Sequence, residues 1–317
     1  MHIGLLSKSP NTIQVLEKEL AEHHLVVIQN KEQLLGEVES LEILVTSSMG
    51  FPLNFVNREI FEKARRLQLI QHFGVAADVV DLSIAQEFGV PVANVPGLNT
   101  VAVAELGIYL IFALARRARL AAQMVEEKRL GEPVGTEVAG KTLGVVGLGR
   151  IGTALALRVK GLGMRVLAVT ENPTPGLARA LGIELVQTPE YLIDLLAQSD
   201  YVVLTLPLNE KTVGLIGPRE LAAMRPGAYL INLSRGPLID REALLHALQS
   251  GRLGGFATDA AWEEPADPND CIFTQPNVIL TPHIGATTRE VLEATARVVR
   301  ENVDRVARGE KPLYMLT

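Results

Sequence analysis

An apolar run, Thr142-Leu143-Gly144-Val145-Val146, ends in Gly147-Leu148-Gly149-Arg150-Ile151-Gly152 and continues into Ala154-Leu155-Ala156-Leu157, a stretch of strong helix formers. A buried strand that passes through three glycines at this spacing into a helix has few ways to fold. The first glycine permits a tight turn, the second lets backbone approach a ligand, and the third lets the helix pack closely on the strand. The first-turn N–H groups of that helix lack intrahelical acceptors and lie at the positive end of its dipole. This combination suits a pyrophosphate, so the pattern predicts a dinucleotide site in a Rossmann-type βαβ unit. Gly147, Gly149, Arg150, Ile151 and Gly152 are its expected contacts. A glycine-rich turn alone is weak support; the strand before it and the helix after it give the pattern its weight.

Short apolar runs alternate with amphipathic segments along most of the chain, which predicts parallel sheets with crossover helices. A first series of strands is expected at 3–6, 25–28, 42–45, 69–73 and 92–93. A second is expected at 143–146, 165–169, 201–204, 228–232, 255–257 and 278–280. The second contains the glycine motif and should form the cofactor domain. A chain of 317 residues suits two domains better than one. Two long helices should join them, one capped by Asn99 and running from Val101 to Arg117, the other from Thr287-Thr288 to about Ala307. The segment from Leu313 to Leu316 should return to the first domain. The expected fold is α/β: a Rossmann-type doubly wound cofactor domain, residues 99–285, inserted in a discontinuous flavodoxin-like substrate domain, residues 1–98 plus 286–317.

Hydrophobic residues make up 48% of the chain, enough for two cores, and the net charge is −6. That balance gives no electrostatic footprint for nucleic acid or an anionic membrane. Arg116-Arg117-Ala118-Arg119 is read as the solvated end of a helix. Cys271 is the only cysteine, which excludes an intrachain disulfide and a multi-cysteine metal site and suits a reducing compartment. No metal is expected. Met1-His2-Ile3-Gly4 leads directly into a strand-like run, without a signal pattern. The most apolar helical stretch, Val101 to Ala115, contains Glu105 and is shorter than the roughly 20 residues a bilayer span needs. A cytoplasmic protein is the expectation.

Three polar segments follow expected strands: Asn232-Leu233-Ser234-Arg235-Gly236, Asp259-Ala260-Ala261-Trp262-Glu263-Glu264-Pro265 and Thr281-Pro282-His283-Ile284-Gly285. Open parallel sheets bind ligands at the carboxyl ends of their strands, so all three are expected to face one crevice. Singly, each has a plain explanation as a solvated arginine, a surface acid or a structural histidine. Together, downstream of a dinucleotide motif, they make a reaction set of guanidinium, carboxylate and imidazole.

At this point the chain resembles the D-isomer-specific 2-hydroxyacid dehydrogenase family. The resemblance runs through Gly74-Val75-Ala76-Ala77-Asp78, Asn94-Val95-Pro96-Gly97-Leu98-Asn99, the glycine motif, Leu206-Pro207-Leu208-Asn209 and the three polar segments. Arg235 and Glu264 stand 29 residues apart, like the family spacing, and Thr-Pro-His-Ile-Gly is a specific match. The resemblance implies hydride transfer between a nicotinamide and C2 of a small 2-oxo acid. It implies His283 as general acid and base, Glu264 as its partner and Arg235 as the substrate clamp. It implies backbone N–H groups of Val75 and Ala76 on the substrate carboxylate, Asp259 on the nicotinamide carboxamide, and Leu206 and Pro207 as walls of the cofactor site. Leu233, Ser234, His283 and Gly285 complete the implied cofactor contacts. A homodimer, formed through the cofactor domains and the Val101–Arg117 region, is also implied.

Four departures from the family pattern matter. Thr170 stands where NAD-using relatives commonly have aspartate, and Glu171 follows it, 19 residues after Gly152, near the expected interval of about 20. NAD is the expected cofactor, with NADP left open. Ala76 replaces a common glycine, Thr205 a common histidine, and Ala260-Ala261 a bulkier pair. The loop Thr46-Ser47-Ser48-Met49-Gly50-Phe51-Pro52 is expected to face the substrate and contains no Lys or Arg, which disfavours a phosphorylated substrate. With the chain ending at Thr317, no appended regulatory domain is expected. Glyoxylate, hydroxypyruvate or pyruvate is the expected class. Two alternatives stand beside the leading reading: an NAD(H)-sensing binding protein of the same fold, and a phosphite dehydrogenase. A formate dehydrogenase is disfavoured by the acid at 264.

Overall fold

The computed structural model describes residues 1–174 and 176–317. The chain divides into two compact units, Met1–Asn99 with Ala286–Thr317, and Thr100–Gly285.

In the first unit, strands β1 (His2–Leu6), β2 (His24–Ile28), β3 (Ile43–Thr46), β4 (Leu69–His72) and β5 (Val92–Ala93) alternate with helices α1 (Pro10–Glu19), α2 (Lys31–Glu37), α3 (Arg58–Lys63) and α4 (Leu82–Glu87). The sheet is parallel, in the order β2-β1-β3-β4-β5, which is the flavodoxin-like winding. Its strands are apolar on both faces because helices cover both. Leu6, Leu44, Ile70 and Val92 pack into one core; Ile3, Leu5, Ile43, Val45 and Leu69 pack into another. Helix starts follow capping chemistry. The Ser9 hydroxyl accepts from the Thr12 N–H ahead of Pro10, and Asp81 caps α4.

The second unit carries α5 (Thr100–Ala115), α6 (Ala118–Glu126), β6 (Thr142–Val146), α7 (Arg150–Lys160), β7 (Arg165–Val169), α8 (Leu177–Leu181), β8 (Leu185–Gln187), α9 (Leu192–Gln198), β9 (Tyr201–Leu204), α10 (Pro218–Ala223), β10 (Ala228–Asn232), α11 (Arg241–Gln249), β11 (Leu253–Thr258) and β12 (Val278–Leu280). Its parallel sheet runs β12-β11-β10-β9-β6-β7-β8, the Rossmann order extended by one strand. Alternate strand residues again feed two cores: Val146, Val202, Leu204, Leu230 and Phe256 on one face, Leu143, Val145, Val203, Ile231 and Ala257 on the other. No helix among the described residues is long and apolar enough to cross a membrane.

Three features differ from the sequence reading. The helix expected to run to Arg117 stops at Ala115; Arg117 takes a left-handed conformation (φ 51°), and α6 starts at the next residue. The arginines of the cluster are exposed as expected, but Arg119 is also bonded: its guanidinium donates to the carbonyls of Phe273, Gln275 and Val278 and so holds the entry to β12. The edge strand β8 went unread, because three half-exposed residues give too little periodicity.

The first unit is completed by α12 (Arg289–Ala307), capped by Thr288, whose hydroxyl accepts from the Val291 N–H. Its buried face, Val291, Thr295, Ala296, Val299, Asn302 and Val303, recurs at three- and four-residue intervals, as an amphipathic helix requires. The chain end then pairs with β5: Leu316 N–H donates to Val92 O at 2.7 Å, and Asn94 N–H to Tyr314 O at 3.1 Å. Asn302, fully buried, organises this return. Its amide donates to Gln71 Oε1 (2.6 Å) and Leu313 O (3.1 Å), and its oxygen accepts from Leu313 N–H (2.7 Å). Asn302→Leu leaves those groups unpaired and should cost about 2–4 kcal/mol. Hydrogen exchange should then quicken at residues 313–317; unchanged exchange there would mean that the strand bonds alone hold the chain end.

Candidate active site

The order of the seven-stranded sheet reverses between β6 and β9, and a ligand crevice lies at the carboxyl ends of strands at such a point. The glycine motif leaves β6 there. Gly147 has φ +96°, and a Cβ on it would lie 2.9 Å from Leu206 Cβ. A Cβ on Gly152 would lie 2.2 Å from Gly147 O, so the third glycine is required by close packing. A Cβ on Gly149 would meet nothing within 4 Å. The turn is therefore tight beneath and open above, with the first-turn N–H groups of α7, at Arg150 and Ile151, free of intrahelical acceptors. These residues fit a dinucleotide pyrophosphate.

Around this turn, Leu206 is half-buried and Pro207 exposed. Thr170 follows β7, its N–H donating to Gln187 O at 2.9 Å, and Glu171 is exposed. The unread β8 thus fixes the backbone at the position expected to discriminate NAD from NADP.

Two loops beyond β10 and β11 are locked together. Asn232, fully buried at the end of β10, donates through Nδ2 to Arg235 O (2.7 Å) and accepts from Ser234 N–H (3.0 Å). Its side chain shapes the loop of Leu233, Ser234 and Arg235. At Gly236, a Cβ would come within 2.6 Å of the Ala261 carbonyl group and the Trp262 nitrogen, so only glycine lets these two backbones meet. Trp262 Nε1 donates to Ile239 O at 3.0 Å. The segment before Glu264 is thereby fixed against the one carrying Arg235, whose Nη1 donates to Ser234 O at 3.0 Å.

The third loop follows β12. His283 has a left-handed backbone (φ 53°), uncommon for a residue with a Cβ. Its Nδ1 lies 2.9 Å and 2.8 Å from the two oxygens of Glu264, with both side chains about four-fifths buried. An Nδ1–H shared between those oxygens leaves Nε2 directed elsewhere, the arrangement a proton-transferring imidazole needs. Asp259 holds the flanking backbone. It accepts from Thr281 Oγ1 (2.6 Å), Ile284 N–H (2.8 Å) and Gly285 N–H (2.7 Å). Burial pushes its carboxyl above the usual aspartate range, opposed by those three donors and by His283. Three of its acceptor sites are thus taken by this loop, a role the sequence did not disclose.

Val75 and Ala76 lie in the first unit, on an exposed loop after β4. Asn94 Nδ2 donates to Val75 O (2.6 Å), and Ser48 Oγ to Ala76 O (3.1 Å). The neighbouring loop from Thr46 to Pro52 has no cation of its own, but Lys8, beyond β1, sets its ammonium 4.9 Å from the Phe51 ring centroid.

The family model for the D-isomer specific 2-hydroxyacid dehydrogenase NAD binding domain matches residues 108–285. Among curated proteins, a glyoxylate reductase of Thermococcus litoralis is 38% identical over 288 residues, covering 87% of this chain and 82% of its own. A D-3-phosphoglycerate dehydrogenase of Methanocaldococcus jannaschii is 36% identical over 305 residues, 95% of this chain; the chain spans only 56% of that relative's length. Among solved structures, the TT0316 protein from Thermus thermophilus superposes with a TM-score of 0.86 at 32% identity, each chain covered completely. The chain belongs to the D-isomer specific 2-hydroxyacid dehydrogenase family.

Gly236→Ala tests how tightly the two loops are joined. With rigid backbone on both sides of the added methyl, it should destabilise the protein by about 1–3 kcal/mol. A denaturation midpoint equal to that of the parent would show that the loops can part.

Proposed function

We propose that this chain is an NAD(H)-dependent dehydrogenase that interconverts a small 2-oxo acid and its D-2-hydroxy acid. The observation that carries the reading is the His283–Glu264 pair, on the same unit as the glycine turn, in a chain of this family. The bound nicotinamide supplies the hydride to C2 in the reducing direction. His283 gives a proton from Nε2 to the carbonyl oxygen and regains one in the reverse direction; Glu264, bonded to Nδ1, keeps the ring turned. Arg235 clamps the substrate carboxylate, for which its forked donors are suited, and draws charge from the carbonyl. The N–H groups of Val75 and Ala76 are the further carboxylate donors that the family resemblance implies. Gly147, Gly149, Arg150, Ile151 and Gly152 take the pyrophosphate, Leu206 and Pro207 wall the cofactor, and Leu233, Ser234, Asp259 and Gly285 line its nicotinamide end.

Glu171 favours NAD, as the acid available to the ribose hydroxyls. The chain acts as a homodimer in this reading, supported by exposed Val101, Tyr109 and Phe112 on the otherwise apolar α5. A cytoplasmic location rests on the single cysteine. The substrate side chain is small and uncharged, in keeping with the absence of Lys and Arg from residues 46–52. Lys8, beside Phe51, favours a second reading in which that side chain is anionic.

The test is a spectrophotometric screen of NADH and NADPH oxidation with glyoxylate, hydroxypyruvate, pyruvate and phosphohydroxypyruvate. NADH with one of the first three should turn over. His283→Ala should lose about 100-fold or more in kcat while still binding NADH. A wild-type chain inert toward all four, or a His283→Ala variant with full turnover, would overturn the reading.

A further inference from the structure

A single hydroxyl spans the point where the larger sheet reverses. Thr205 follows β9, and its N–H continues the ladder by donating to Val146 O at 2.9 Å. With its backbone fixed, its side-chain Oγ1 donates to Gly147 O at 2.6 Å. A Cβ on Gly152 would lie 2.2 Å from that carbonyl oxygen and 2.7 Å from the Thr205 hydroxyl. The carbonyl, the hydroxyl and the third glycine are thus packed into one contact under the first turn of α7.

We propose that Thr205 is a positioning residue for the dinucleotide turn, its hydroxyl engaging the Gly147 carbonyl so that the first-turn N–H groups of α7 stay available to an anion. The inference rests on the dinucleotide reading of this turn. Gly147 O is an acceptor pressed against a helix start whose N–H groups lack intrahelical partners. Without the hydroxyl, those N–H groups are the donors left to it, and they are the ones a pyrophosphate needs. The Gly147 N–H donates across to β7, to Val169 O at 2.9 Å, so the peptide before the turn is already fixed and the carbonyl after it is the group the hydroxyl governs. The residue acts through the turn, so its loss should appear in cofactor affinity and leave the proton-transfer step alone.

The experiment uses the full chain and NADH fluorescence titration, with steady-state kinetics alongside. Thr205→Val keeps the shape and removes the donor. It should raise the NADH Kd and KM about three- to tenfold and leave kcat at saturating NADH within about twofold. Thr205→Ser restores the hydroxyl and should return both to near the parent values. Should valine not fold, Thr205→Ala should show the same rise. A valine variant with parental NADH affinity, or a serine variant as weak as valine, overturns the role. A parent chain that binds no NADH overturns the dinucleotide reading itself, and this role with it.

Discussion

A buried carboxylate, Asp259, accepts three hydrogen bonds from the segment that carries His283. Taking that charge out of water is costly, and the three donors offset the cost only in part, which is why its carboxyl is displaced upward despite them. The left-handed conformation of His283 adds roughly 1–2 kcal/mol of backbone strain. Such a geometry persists only where its surroundings over-determine it. Here the Asp259 oxygens hold the Thr281 side chain before the histidine and the Ile284 and Gly285 backbone after it, and Glu264 fixes the ring. The imidazole therefore has one orientation, with one nitrogen occupied.

The same logic extends outward through the larger unit. Glu264 is held because its loop touches the Arg235 loop at Gly236 and because Trp262 bonds Ile239. Arg235 is held because buried Asn232 folds its side chain back on the same loop. These loops leave adjacent parallel strands, and the strands are rigid because both faces are packed. A sheet that is apolar on both sides cannot slip by one residue without losing both cores at once. Each end-of-strand polar residue thereby gains a fixed address.

Much of this was legible in the chain. Continuous apolar runs such as Tyr201–Leu204 marked strands buried on both faces; the fold class followed from their order and the glycine motif, and the family from that motif together with the polar segments. What escaped was decided by contacts between segments distant in sequence. Leu185–Gln187 is too short to show a period and exists because β7 offers an open edge. The bonds from Arg119 to carbonyls at and before the start of β12 are contacts no local pattern encodes. The role of Asn232 could have been singled out by one signal, a polar residue ending an apolar strand. Gly236 reads as an ordinary turn glycine until the neighbouring backbone is seen.

The proposed reaction depends on Glu264 holding the His283 ring through Nδ1, and single-turnover hydride transfer in Glu264→Gln tests this most directly. With NADH prebound and the best 2-oxo acid added, the amide offers Nδ1 one acceptor oxygen where the carboxylate offers two. The expected hydride-transfer rate is at least about tenfold below that of the parent, with NADH affinity unchanged. A rate equal to that of the parent would contradict it.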